Sequence, residues 1–394
     1  MTNDALLQSL DSHLAWWGLK RFTSDADYFA WQRKKLSPVD LAQLNTQIER
    51  KRGGKPRDEI AFYDLTAQPP ILTALYSQRY EYYREIGPRV IAVLRDANYI
   101  LDFGCGIGIL TTFYATQCAQ KQFVGIDRSP VSISVAREKA RELGLSNIRF
   151  ECIEVESGTF VGPYDLIVAT HALMKAEHDP GIPSHNWQTF ARARDAKQQA
   201  AFEQRTSIDV RLDRLSALLA QKGRLIVFEK TRQLARRVPF QRALAGRDFH
   251  LTEAPVPIRY QLVEETVDDG PLYVMQKGDG TSLNWDELPE PDEGRLFDRT
   301  QINTGPRDPD LPLYENHWPS AQRVWEQLRA KHLLKENTRQ ESDGRQLHVE
   351  LGQAEEMVYV YCANTLDQRQ LVLVEQARKA MLESYYQEIT SGVP

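Results

Sequence analysis

The run YILDFGCGIGILTTF, Tyr99 to Phe113, followed by QFVGIDRS, Gln122 to Ser129, decides the fold. An apolar stretch ends in Asp102, a loop supplies Gly104, Gly106 and Gly108, an amphipathic stretch follows, and a second apolar stretch ends in Asp127. The order is strand, glycine loop, helix, strand with an acidic tip. Glycine lets a loop turn tightly and brings its backbone within contact distance of a ligand that a Cβ would exclude. A carboxylate at the next strand tip of a parallel sheet can accept hydrogen bonds from both ribose hydroxyls. The unit therefore reads as a nucleoside site. A dinucleotide loop wants G-x-G-x-x-G, so that a helix N-terminus can hold the pyrophosphate. Counted from Gly104 the third glycine falls on Ile109, and counted from Gly106 it falls on Thr111, so neither register fits.

The pattern present, Asp102-x-Gly104-Cys105-Gly106-x-Gly108, resembles motif I of the class I S-adenosylmethionine-dependent methyltransferases. The likeness continues in order. After Asp127 comes PVSISVAREKARELGL, with Val131, Val135, Ala136 and Leu143 at helical spacing. NIRFECIEVES reads as a third strand, YDLIVATHAL as a fourth and GRLIVFEK as a fifth ending at Glu229. PIRYQLVEET and PLYVMQKG, joined by VDDG, read as an antiparallel hairpin, with which these methyltransferases close their sheet. The implied fold is α/β: a Rossmann-like seven-stranded sheet with helices on both faces, an N-terminal helical region and an appended C-terminal α+β unit. Taken singly, the loop is compatible with a mere tight turn, and Asp127 with a helix N-cap, for which Ser129 is the stronger candidate.

The resemblance implies S-adenosylmethionine as cofactor, leaving as S-adenosylhomocysteine. Asp102 and the backbone of Gly104, Cys105, Gly106 and Gly108 would position its amino acid end, Asp127 with Arg128 beside it the ribose, and Glu154 with the Val155 backbone the adenine. Thr170, His171 and Glu229, at the carboxyl ends of strands four and five, would face the acceptor, with His171 and Glu229 as catalytic candidates. An imidazole titrates near neutral pH, which suits a general base; a hydrogen-bonded structural histidine fits the same position. Tyr76, Tyr80 and Tyr83 recur at helical spacing; ordinary core packing explains any one of them, but a sulfonium favours aromatic faces, so Tyr80 joins the cofactor set.

Missing elements narrow the acceptor. ATHALM, after strand four, contains neither the Asn/Asp-Pro-Pro-aromatic element of DNA, RNA and glutamine amide methylases nor the Pro-Cys of C5-cytosine enzymes. The glutamate pair of the arginine methyltransferases is also missing there. The expectation is methyl transfer to an O, N or C nucleophile of a small metabolite, as in secondary metabolism. The alternatives are another S-adenosylmethionine reaction such as a cyclisation or lyase step releasing methylthioadenosine, a protein methyltransferase, and a non-catalytic binding partner.

At 394 residues, with 42% hydrophobic and 26% charged residues, the composition is that of an ordinary globular protein. A net charge of −5 argues against a broad basic surface, so no nucleic-acid partner is expected. No run is long enough for a membrane span and the start lacks a secretory pattern, so a cytoplasmic location is expected. Cys105, Cys118, Cys152 and Cys362 lack paired spacing, which points to neither a disulfide framework nor a metal.

Three regions are expected: an N-terminal helical cap at 1–88, the core at 89–279, and an α+β extension at 280–394. The stretch from His171 to the helix SIDVRLDRLSALLAQKG exceeds a minimal connection and carries His178, Asp179, His185 and Trp187, whose spacing matches no standard metal pattern and reads instead as a polar substrate loop. In the extension, SAQRVWEQLRAKHLL reads as a helix, RQLHVELG, MVYVYCANT and RQLVLVE as strands, and QARKAMLESYYQEI as a closing helix. A homodimer through either terminal region is compatible with these exposed elements.

Overall fold

The protein is represented by a computed structural model that describes residues 3–52, 55–158, 161–175, 179–278, 285, 287–289, 292, 294, 296–298, 311–342 and 344–391. The chain divides into two compact units, one of residues 1–178, 203–232 and 242–285, the other of residues 179–202, 233–241 and 286–394.

The first unit opens with six helices, α1 (Asn3–Trp16), α2 (Asp25–Lys35), α3 (Pro38–Arg52), α4 (Pro56–Thr66), α5 (Ile71–Ser77) and α6 (Tyr80–Val93). Strand β1 (Tyr99–Phe103), helix α7 (Ile109–Gln117), β2 (Gln122–Asp127), α8 (Pro130–Glu142), β3 (Ile148–Cys152) and β4 (Tyr164–Thr170) follow as anticipated. Ser129 caps α8, its Oγ accepting from Ser132 N at 3.0 Å. Helix α9 (Ala196–Thr206), whose residues 196–202 belong to the second unit, and α10 (Ile208–Leu218) lead to β5 (Leu219–Phe228), then α11 (Leu234–Ala245), whose residues 234–241 belong to the second unit, β6 (Phe249–Leu251), β7 (Val256–Leu262) and β8 (Glu265–Lys277). The sheet runs β3-β2-β1-β4-β5-β8-β6, seven strands in line, with β7 as an eighth paired to the first half of β8. Strands β1 to β5 are parallel neighbours and β8 is antiparallel to its partners, the Rossmann-like α/β arrangement expected. The uninterrupted apolar runs of β1 and β4 are explained by burial on both faces, with Ile100, Leu101, Leu166 and Ile167 all inaccessible.

In the first unit local readings shift at three places. The helix expected over SIDVRLDRLSALLAQKG ends at Leu218, because Leu219 turns extended and pairs with Tyr164. The hairpin turn is the pair Val263–Glu264, between Leu262 and Glu265, and VDDG lies inside β8. The tyrosine spacing of 76, 80 and 83 crosses a break between α5 and α6, so these residues do not share one helix face.

The second unit is a five-stranded antiparallel sheet, β9 (Tyr314–Asn316), β10 (Lys331–Gln340), β11 (Gln346–Ala354), β12 (Met357–Asn364) and β13 (Arg369–Glu375), in the order β10-β11-β12-β13-β9. Period-two alternation builds two apolar faces: Tyr359, Tyr361 and Ala363 pack with Ala321 and Val324 of α12 (Ser320–Gln327), while Val358, Val360 and Cys362 pack with Leu382 and Tyr386 of α13 (Lys379–Ser391). Helix α12 stops earlier than the sequence suggests: KHLL belongs to β10, which pairs with β11. No helix among the described residues is long and apolar enough to cross a membrane.

Candidate active site

A cavity of about 390 Å³ opens at the carboxyl ends of β1, β2 and β4, walled by α4, α5 and α6. Its floor is the glycine loop. Gly104 N and Cys105 N both donate to Ile126 O, at 2.9 and 3.0 Å, folding the loop back onto β2. Gly104 has φ +73, and a Cβ there would lie 2.4 Å from that of Ala172, so no larger residue fits. Asp102 is buried beneath the loop and accepts from Thr111 Oγ1 at 2.6 Å. Burial pushes its carboxyl up to about 6, against the opposing Thr111 hydrogen bond.

Asp127 ends β2 with both carboxylate oxygens turned to the loops: Oδ2 accepts from Gly106 N at 3.0 Å and Oδ1 from Ser129 N at 2.8 Å. Each oxygen keeps a further lone pair for a ligand. Burial raises its pKa, moderated by those two N–H groups. Arg128 pairs with Glu59 of α4, fastening that helix over the cavity, and its Nη1 is a buried donor left unsatisfied. Glu154 and Val155 line the cavity just beyond β3. Glu156 beside them is held down to about 2: burial opposes its ionisation, but Lys175 at 2.6 Å and Arg211 at 3.0 Å outweigh it.

Thr170 and His171 reach the cavity at the end of β4. His171 has φ 53, its N–H donates to Phe228 O at 2.7 Å, and its ring stacks on Tyr82 at 5.4 Å. Its Nε2 lies 3.2 Å from Asp269 Oδ2, out of line for a well-formed hydrogen bond. Arg79 Nη2 approaches Nδ1 at 3.5 Å. A guanidinium only donates, so Nδ1 carries the lone pair and the ring proton sits on Nε2 toward Asp269. Burial lowers the His171 pKa against the pull of Asp269, and the Arg79 guanidinium lowers it further. Asp269 is held down to about 2: burial works against it, but His171 and the Tyr260 hydroxyl, donating at 2.6 Å, prevail.

Not every residue singled out in the sequence reaches the cavity. Glu229 is buried outside the lining, its Oε1 accepting from Ala172 N at 2.7 Å and Leu173 N at 2.5 Å, so it braces the loop that carries His171. Tyr80 turns away and donates to Asp11 at 3.2 Å; Tyr63, Tyr76, Tyr82 and Tyr83 supply the aromatic wall. Gly108 caps α7, where a Cβ would meet Phe150 at 2.8 Å, and does not line the cavity. His178 lies outside the described residues, and Asp179, His185 and Trp187 belong to the second unit, where Trp187 stacks on His348 at 3.6 Å. In that unit Glu336, His348 and Glu350 bring ligand atoms within 4.8 Å, but both His348 nitrogens are engaged, by Thr338 and Glu350.

Sequence reasoning missed Arg79 and Asp269. Asp269 is the extra residue of a β-bulge: Ile258 pairs with Gly270 and Arg259 with Asp268, so Asp269 has no partner on β7. Gly270, with φ +129, lets β8 pass against Thr231, whose Oγ1 would sit 2.8 Å from a Cβ. Bulges of this kind re-aim side chains beside active sites.

Residues 94–236 match a family model described as a methyltransferase domain. The chain is 36% identical over 176 residues to a ribosomal protein L11 methyltransferase of Deinococcus radiodurans, covering 41% of this chain and 62% of that one. It is 28% identical over 124 residues to a release factor glutamine methyltransferase of Vibrio cholerae, covering 30% and 43%. The chain thus spans less than two thirds of the curated relatives it matches. Among solved structures, magnesium protoporphyrin IX methyltransferase of Synechocystis with bound S-adenosylmethionine is 15% identical, covering 54% of this chain and 86% of that one, with a TM-score of 0.36.

Proposed function

From the premise that residues 94–236 form a methyltransferase domain of the class I S-adenosylmethionine-dependent kind, we propose that this protein methylates a small molecule bound in the same cavity as the cofactor. The observation that carries the reading is His171, an imidazole at the end of β4 that lines the cavity, with Arg79 Nη2 3.5 Å from its Nδ1 and Asp269 3.2 Å from its Nε2.

The cavity has features that suit a nucleoside cofactor: a glycine loop whose Gly104 has no room for a Cβ, a half-buried carboxylate at the tip of β2 and an unsatisfied Arg128 N–H. Bound there, S-adenosylmethionine supplies an activated methyl group. Asp127 would hold the ribose, Glu154 and Val155 the adenine, and Asp102 with the backbone of 104–106 the amino acid end. The protein must then align the acceptor, exclude water and take up a proton. Helices α4 to α6 and their tyrosines shield the cavity. His171 receives the proton at Nδ1, and Asp269 fixes the tautomer and stabilises the imidazolium that forms, its alignment tightening on ligand binding. Glu229 keeps residues 172 and 173 in place so that the ring stays aimed.

The relatives named for proteins they methylate keep a macromolecular acceptor as the second reading. The test is to incubate the protein with methyl-labelled S-adenosylmethionine and a cell extract separated into metabolite and macromolecule fractions. Label in a small molecule supports the proposal; label in protein or RNA overturns it.

A further inference from the structure

We propose that Arg79 is the docking residue for a carboxylate on the methyl acceptor, and that the acceptor is a hydroxy acid whose hydroxyl stands next to that carboxylate; this rests on the methyl-transfer reading above. Arg79 lies in the break between α5 and α6 and lines the cavity. Its guanidinium sits 5.4 Å over the Tyr82 ring and makes one long contact, 3.5 Å, to His171 Nδ1. Among the described residues no carboxylate pairs with it. The other two arginines of the cavity lining differ: Arg128 has Glu59, and Arg211 has Glu156. A guanidinium withdrawn from bulk water keeps its charge and is disfavoured until an anion meets it. Its fork geometry suits a planar carboxylate in two parallel hydrogen bonds.

The position of Arg79 sets the acceptor's shape. Because Nη2 lies beside the same nitrogen that would accept the proton, an anion on Arg79 places the neighbouring atoms of its carrier at His171 Nδ1. The tyrosine rings around them favour a flat carrier. In the transfer step the acceptor oxygen forms its bond to the methyl carbon as the carbon–sulfur bond breaks. The bonding pair stays on sulfur, now a neutral thioether, and the hydroxyl proton passes to Nδ1.

Salicylate and its neutral amide, salicylamide, are the probes, titrated by calorimetry into protein saturated with S-adenosylhomocysteine. Wild type is expected to bind salicylate at least tenfold more tightly than salicylamide, Arg79→Met to lose that preference, and Arg79→Lys to retain part of it. Methylthioadenosine, which lacks the amino acid end, reports whether each variant keeps its nucleoside site. An equal affinity of wild type for the two probes overturns the proposal. So does an Arg79→Met protein that binds methylthioadenosine normally but S-adenosylhomocysteine tenfold more weakly, because the carboxylate on Arg79 is then the cofactor's own. Wild type that binds no S-adenosylhomocysteine at all refutes the methyl-transfer reading itself, whereas normal binding without a salicylate preference refutes only the acceptor assignment.

Discussion

Replacing Asp102 by Asn should make the ligand-free protein more stable while weakening its hold on the cofactor. In the folded chain burial lifts this carboxyl from its usual 3.8 to about 6, so the proton is bound more tightly folded than unfolded. A carboxyl with a raised folded pKa therefore draws stability away as pH climbs through 4 to 6, and the loss is complete above 6. A rise of about two units corresponds to roughly 3 kcal/mol at pH 8, shrinking to about 1 kcal/mol at pH 4.5, where the folded carboxyl is largely protonated. Asn keeps an oxygen for the Thr111 hydroxyl, which donates to Asp102 Oδ2 at 2.6 Å, so the substitution removes the charge and keeps the hydrogen bond. Urea unfolding of both proteins at pH 8 and pH 4.5 measures the effect, with the first unit followed by near-UV circular dichroism. The variant should be the more stable at pH 8 by up to about 3 kcal/mol, with the gap narrowing toward pH 4.5. Equal stability at pH 8, or a gap that does not depend on pH, refutes the reasoning. Calorimetry should show weaker S-adenosylhomocysteine binding by the same variant, a trade of function for stability common at ligand sites.

Asp127→Ala should weaken S-adenosylhomocysteine binding by roughly 1.5–3 kcal/mol for each charged hydrogen bond lost, read by calorimetry; unchanged affinity removes the ribose assignment. Asp269→Asn should lower kcat by about a hundredfold or more while leaving the KM for S-adenosylmethionine unchanged. Without the carboxylate that favours the imidazolium, His171 titrates lower still, so the acid limb of the pH–rate profile should move to lower pH; a rise in KM alone would mark a structural role. In the second unit Asp367 pairs with the buried Arg192 and accepts from Ala235 N at 2.9 Å. Asp367→Ala leaves that guanidinium without its carboxylate and should cost about 3–5 kcal/mol in urea unfolding, whereas a change below 1 kcal/mol would mean the pair is dispensable.

The parallel half of the first unit was legible because its signals are local. Strand, loop, helix and acidic tip lie within about thirty consecutive residues, and each glycine answers a backbone requirement that a sequence shows directly. Asp102 and Asp127 stand out from that pattern, Glu154 and Val155 were added by the family resemblance, and the structure brings all four to one cavity. Tyr80 illustrates what was hidden: its spacing from Tyr76 and Tyr83 looks helical, but the helix breaks at Gln78 and Arg79 and the side chain points to Asp11. The same break places Arg79 in the cavity, and no periodicity announces it. Asp269 was hidden by register. VDDG carries the composition of a turn, and only the pairing of β7 with β8 reveals it as a strand with one residue too many. Glu229 was placed at the correct strand end, but its direction depends on the loop after β4, whose course is set by tertiary contact.

The bulge in β8 makes the orientation of a single carboxylate a matter of counting. Asp268 faces Arg259 across the ladder, their side chains 3.3 Å apart, while Asp269 turns to Tyr260 and His171. Delete Asp268, and regular pairing would set Asp269 opposite Arg259, on the far side of the sheet from the histidine. The glycine loop after β1 takes no part in the β7–β8 pairing. If His171 and Asp269 act as proposed, a single lost codon would part the carboxylate from the histidine while leaving the residues of the glycine loop untouched.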